Sequence, residues 1–305
     1  SLWLFGIHLG VIMAIQSIDN LINAISAGKT ARFDWNKITG GAAYAAGRWY
    51  DMATLAGSPV GTTYPGTALT WQTCTEATGD GTNAFGIPHG GNVSTDIKHL
   101  LNMAAWGTAA TSVPSTLMLV DVQGYYPGIN MNTLSAQTLL GTPTLRYANG
   151  AGIRAFLTAR ATTGSTAHNI AYNYNNQAGA AKTNPFTVAA TASAIVPHIL
   201  HSGTAANNYG PFLPLAQGDS GIQKFNTLTL SAASGTASTA ALVLVKPLAQ
   251  ITIGIAALMT EKDLLNQIPS MPQIKDGACL TWILGAGAAT AIATTFAGQT
   301  EFVWG

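Results

Sequence analysis

From Ser17 the apolar positions fall at helical intervals, with Ile18, Leu21, Ile22 and Ile25 three or four residues apart. That spacing lays them along one side of a helix. Ser17 can accept from the first free N–H groups, and Gly28 can close the far end with Lys29 beside it. The pattern predicts one short amphipathic helix covering one end of a core.

After Phe33 the period changes. Short runs of β-branched and aromatic residues alternate with clusters of Gly, Pro, Asn and Thr. Runs of this kind predict strands at Gly47–Met52, Thr67–Thr73, His99–Ala105, Thr116–Tyr126, Gly152–Ala161 and His168–Tyr174. Further strands are predicted at Phe186–Ala190, Lys224–Ala232, Ala240–Val245, Ala278–Leu284 and Thr300–Trp304. Ala148–Gly152, Thr162–Ser165 and Ala232–Thr236 carry turn chemistry. Helical spacing returns only at Leu258–Ile268, with Thr260 as a cap and Pro269 as a stop. Many short strands without intervening helices predict a mainly β fold of sandwich, jelly-roll-like units rather than parallel βαβ units.

Two stretches resemble each other. Pro88 and Lys98 match Pro214 and Lys224 at an offset of 126, and Leu117 and Leu119 match Leu242 and Leu244 at an offset of 125. An internal duplication and a chance likeness of two Ala/Thr-rich hairpins both account for this. The duplication would divide the chain into an arm and helix (1–29), a first sandwich (30–140), a second sandwich (141–257), and a short helix with a C-terminal hairpin completing a sheet (258–305).

Composition narrows the function. Of 305 residues only 13 are Lys or Arg and 12 are Asp or Glu, so 8% are charged; about 25% is usual for a soluble domain. The hydrophobic fraction of 48% can build a core, which excludes global disorder. A net charge of +1 with no basic run gives no electrostatic footprint for direct nucleic-acid binding. Cys74 and Cys279, the only cysteines, are 205 positions apart and exclude a disulfide scaffold. No 18-residue run is free of polar interruption, so no membrane partner is expected. The N-terminal stretch is apolar from Leu2 to Ile15. It lacks a basic leader region and a small-residue cleavage site, and reads as an arm that packs on its own or a neighbouring subunit.

Motifs with catalytic overtones are incomplete. Gly218-Asp-Ser-Gly221 and Thr166-Ala-His168 suggest a serine protease, but no Asp or Glu stands between His168 and Asp219 to orient the imidazole. The tetrapeptide is better read as a turn. His198-x-x-His201 could present two imidazoles to a metal, but no Cys, Asp or Glu lies within fifteen residues. His89 and His99 flank a Gly-Gly turn with only Asp96 nearby. Gly86-x-x-x-Gly90-Gly91 lacks the lysine and hydroxyl of a phosphate loop. The acids Asp34, Asp51, Glu76 and Asp121 show no pairing that suggests acid–base work. No enzyme activity, cofactor or metal is expected. The aromatic groups Phe33–Trp35, Arg48–Tyr50 and Gly124–Pro127 read as core or interface anchors. The interface candidates are Leu2, Trp3, Leu4, Phe5, Trp35, Trp49, Tyr50, Tyr125 and Tyr126.

Several segments resemble a family of structural or uncharacterised virion proteins of tailed bacteriophages. They are Met13–Ile25, Lys29–Ile38, Gly47–Asp51, Tyr64–Thr67, His89–Asn92, Leu119–Pro127, Asn176–Gly179, Gln217–Gly221, Leu244–Pro247 and Asp276–Cys279. The resemblance runs from about Met13 to Gly305 and leaves residues 1–12 outside. It implies a virion component and transfers no catalytic residue. With the scarce charge, it leads to an expectation of a virion structural protein, assembled in the host cytoplasm. Its partners would be copies of itself and other virion proteins, in the head shell as capsid or capsid-covering protein. A receptor- or glycan-binding module on the particle and a tail component are the alternatives.

Overall fold

The helix forms where the spacing places it, as α1 (Ile18–Ser26). Ser17 Oγ accepts from the Asn20 N–H at 3.1 Å, and Gly28, at φ 71°, turns the chain out of the helix. The fold is that of a computed structural model, which describes residues 14–76, 85–202 and 210–305, with backbone alone at 267 and 269.

The strands among these residues are β1 (Thr30–Ile38), β2 (Arg48–Asp51), β3 (Ala56–Ser58), β4 (Gln72–Thr73), β5 (Lys98–Gly107) and β6 (Ser115–Asn130). Then come β7 (Gln137–Thr138), β8 (Arg154–Ala159), β9 (His168–Asn176), β10 (Ala181–Thr183), β11 (Val188–Ala190) and β12 (Ile222–Leu230). The last are β13 (Thr239–Ile253), β14 (Thr260–Asp263), β15 (Gln273–Ile274), β16 (Leu280–Ala286) and β17 (Thr295–Trp304). They form three antiparallel sheets, so the chain is mainly β and sandwich-like. A first flanking sheet has the order β14-β5-β17-β1-β3, a central sheet β2-β16-β6-β13-β8, and a second flanking sheet β10-β9-β12-β7.

The long strands β6 and β13 organise the packing. They pair from Thr239 opposite Asn130 to Ile253 opposite Ser115. One half of each strand packs on each flanking sheet. Leu117, Leu119, Ile251 and Ile253 join the first flanking sheet in one core cluster, around Trp35, Trp282 and Phe302. Tyr126, Ile129, Leu242 and Leu244 join the second flanking sheet in another, around Tyr172, Phe225 and Leu228. Bulges at the crossing point, between Leu244 and Val245 and between Pro247 and Ala249, shift the register there. The alternation of faces therefore restarts where the sheet changes partner. The opposite face of the central sheet is covered by irregular segments, with Tyr64, Phe85 and Ile199 against Val120, Val122, Val243 and Val245. A strand covered on both faces need not alternate, and Ala240–Val245 is buried without interruption.

The central sheet thus takes strands from 30–140, from 141–257 and from the C-terminal segment alike. The two stretches that match in sequence occupy corresponding places. β5 lies in one flanking sheet and β12 in the other, and each leads into one of the two long central strands.

Leu258–Ile268 departs from its helical prediction. Thr260–Asp263 is strand β14, paired with Asn102–Ala105 at the edge of β5, and Leu265–Ser270 is a 3-10 turn. A free sheet edge outweighs a weak helical period in so short a segment. Strand β1 answers the opposite way. It carries Arg32, Asp34, Asn36 and Lys37, yet pairs along its whole length with β17.

Candidate functional site

Most of the aromatic anchors lie inside the subunit. Trp35 is tilted against Trp282 at 5.0 Å, Tyr50 stacks on Tyr44 at 3.9 Å, Tyr125 meets Tyr64 edge-on at 4.9 Å and Tyr126 meets Trp71 at 5.2 Å. All four anchors are buried. Trp49 is half-buried and lies over Gly285, whose missing side chain makes room for the ring. The glycan-binding alternative needs Phe33–Trp35 and Arg48–Tyr50 to be open, and Trp35 and Tyr50 within them are closed off. Leu2, Trp3, Leu4 and Phe5 lie outside the described residues.

The motifs with catalytic overtones are held locally. Asp219 accepts from Tyr174 Oη at 2.6 Å and from Asn176 Nδ2 at 2.7 Å. The Tyr174 hydrogen bond holds its carboxyl below the usual carboxylate range. The Ser220 and Gly221 N–H groups donate to Gln177 Oε1 at 3.0 and 3.2 Å. His168 instead sits within β9, its Nδ1 3.1 Å from the Thr166 carbonyl. His198 and His201 are buried, against Ser202 Oγ at 3.3 Å and the Pro211 carbonyl at 3.2 Å. Burial pushes them down to about 3 and about 4 respectively. Among the described residues no three His, Cys, Asp or Glu side chains are grouped to hold a metal ion.

Two features were not found from the sequence. One is a buried junction on β6. Asp121 Oδ1 receives Arg146 Nη2 at 2.5 Å and the Cys279 N–H at 2.9 Å, while its Oδ2 receives Arg146 Nε at 3.1 Å and Gln123 Nε2 at 2.9 Å. Arg146 also donates to the carbonyls of Cys74, at 2.7 Å, and Val122. A fork of donors on a carboxylate is what burial of this charge requires. The signal was Leu119-Val-Asp-Val122, an acid within an apolar strand.

The other is the set of the helix. Leu21 and Ala24 are buried, whereas Ile18, Ile22 and Ile25 are 58%, 53% and 47% exposed. At about 100° per residue the apolar stripe is turned roughly 80° away from the buried side. It meets the core along one edge only and leaves three isoleucines in a row facing outwards. A concavity lies on the other side of the helix, lined by Ile15, Asn20, Asn23 and Ala27 with the Lys29–Asp96 ion pair. The outward row of isoleucines is a face that can meet an apolar surface. No described helix is long and apolar enough to cross a membrane.

No family model and no curated protein matches the chain. Among solved structures it is similar to the VP2 subviral particle protein of infectious bursal disease virus. That match has 11% identity and a TM-score of 0.20 over 90% of this chain and 80% of that one. It is also similar to the protein of T=1 particles derived from the same virus, at 10% identity and a TM-score of 0.20 over 90% and 77%. Superpositions at this level carry no functional argument.

Proposed function

We propose that the chain is a structural protein of a virus particle. More finely, it is a component of a bacteriophage head shell, as capsid or capsid-covering protein, that self-assembles through weakly charged interfaces. The observation that carries this is the rotated helix. A chain with few charges has no evident reason to leave Ile18, Ile22 and Ile25 facing water, and apolar patches of this kind mark association surfaces. Depletion of charge across the chain is the composition of obligate interfaces, and the resemblance to tailed-phage virion proteins points the same way. The partners are copies of the chain and other virion proteins, without direct nucleic-acid or membrane contact, and no catalytic role is assigned.

Light scattering after size exclusion tests the proposal. The chain is expected to elute as an assembly of many copies at micromolar concentration. The double variant Ile18→Glu/Ile22→Glu is expected to shift to smaller species with unchanged far-ultraviolet circular dichroism. A stable monomer of the unaltered chain at that concentration would overturn the proposal.

A further inference from the structure

The chain has two cysteines in 305 residues, and the fold brings them together. β4 and β16 both pair with β6 on the side away from β13. Thr73 lies opposite Gly124 and Leu280 lies opposite Asp121. The two short strands therefore run end to end along one edge of β6, and the cysteines occupy the facing ends. Cys74 N–H donates to the Gln123 carbonyl at 3.1 Å, and Val122 N–H donates to the Cys279 carbonyl at 2.8 Å. They stand beside consecutive residues of one strand, a step of about 3.4 Å. Both side chains are buried in the same cluster, where the Cys279 thiol donates to the Phe85 carbonyl at 2.7 Å. A buried residue touches about 6–12 others, so contact between the only two cysteines of a long chain is not the ordinary outcome. Arg146 and Asp121 fix both ends, one through the Cys74 carbonyl at 2.7 Å and the other through the Cys279 N–H at 2.9 Å.

We propose that Cys74 and Cys279 are a built cross-linking site that closes to an intramolecular disulfide under oxidising conditions. With a peroxide as oxidant, the thiolate of one cysteine attacks the O–O bond and becomes a sulfenic acid, releasing hydroxide. The second sulfur then displaces the sulfenic hydroxyl, which leaves as water with the second thiol's proton. Two thiols and one peroxide give one disulfide and two waters, and two electrons pass from sulfur to peroxide. Cross-linking needs only this chain and stands apart from the virion reading. On that reading, it follows release of the particle from a reducing cytoplasm. Burial pushes the Cys74 thiol up, so closure is expected to accelerate as pH rises from 7 to 9.

The full-length reduced chain is exposed to hydrogen peroxide, then denatured, alkylated and analysed by peptide mass spectrometry. The expected result is paired loss of both alkylation sites and one peptide joining residues 74 and 279, reversed by dithiothreitol. The oxidised protein is expected to melt about 5 °C higher than the reduced one. Cys74→Ala and Cys279→Ala are each expected to abolish the joined peptide and the gain in melting temperature. A second arm refolds the reduced chain in an oxidising glutathione buffer, so that access to the core does not limit the reaction. Two free thiols after that refolding, a disulfide formed only between chains, or an oxidised form that melts below the reduced one would each overturn the proposal.

Discussion

The two flanking sheets pack on the same central strands and meet water in different ways. The first carries most of the charge found in strands: Arg32 and Asp34 on β1, Glu261, Lys262 and Asp263 on β14, and Glu301 on β17, with Lys37 and Lys98 buried within it. The second has only Lys182 and Lys224 in its strands and is faced with amides and hydroxyls. There Asn226 Nδ2 reaches Asn173 Oδ1 and Asn175 Oδ1, both at 2.7 Å, and Gln223 donates to the Gln177 carbonyl at 3.2 Å. A β surface can therefore be wetted without charge when neighbouring strands present amides to one another. Among the described strands, the first flanking sheet thus carries far more charge than the second.

The largest expected effects test whether the two sides are one folding unit. Trp282 packs with the first flanking sheet and Phe225 lies in the second. Trp282→Ala and Phe225→Ala should each cost about 3–5 kcal/mol. Because β6 and β13 run through both clusters, each substitution should move one shared denaturant transition, read by fluorescence and circular dichroism together. Two separated transitions would show that the sides fold independently. Arg146→Met should cost a similar amount, about 3–5 kcal/mol, because it strands the Asp121 carboxylate in the core.

The response to acid separates the regions next. His201 is fully buried and its folded value is depressed to about 4 from an ordinary 6.5. A depressed value means the unfolded chain binds the proton first. The stability it contributes is present above pH 6.5 and is lost as pH falls towards 4. The loss is about 3 kcal/mol. His201→Gln, which keeps a donor for the Pro211 carbonyl, should flatten the stability profile across that window by about this amount. Unfolding free energies measured at half-unit steps from pH 7 to pH 4 provide the check, and an unchanged slope would remove His201 from the account.

The sequence revealed one side of this comparison better than the other. The interior halves of β6 and β13 were plain from Leu119-Val and Leu242-Val-Leu-Val, because strands covered on both faces read as continuous apolar runs. The outer half of β13 was hidden by Lys246 and Pro247, residues that argue against a strand. Pro247 in fact stands at the register shift where the ladder is already broken. β1 was missed because its pairing with β17 overrides its polar composition. Of the candidate anchors, Trp35, Tyr50, Tyr125 and Tyr126 were recognisable as large buried rings. Their place in this chain's own core, rather than at a partner's surface, depends on segments far apart in sequence. The rotation of α1 was illegible for the same reason. The period gives the stripe, and only tertiary contacts say which edge of it is buried.

The smallest effects rank the two ways of wetting a sheet. Asn226→Ala removes the donor shared by Asn173 and Asn175 from a half-buried position, and should cost about 1 kcal/mol. Glu261 is exposed on β14 and accepts from Asn102 Nδ2. Glu261→Gln keeps that acceptor and deletes only the charge, so its effect should stay within about 0.5 kcal/mol. That effect should shrink further between 0.05 and 1 M salt, since exposed charges are screened. Asn226→Ala should show the same cost at both salt concentrations, because its hydrogen bonds carry no net charge. Paired urea titrations of the two variants decide the ranking. A Glu261→Gln effect larger than that of Asn226→Ala at low salt would mean that charge, scarce as it is, holds the first flanking sheet more firmly than the amide network holds the second.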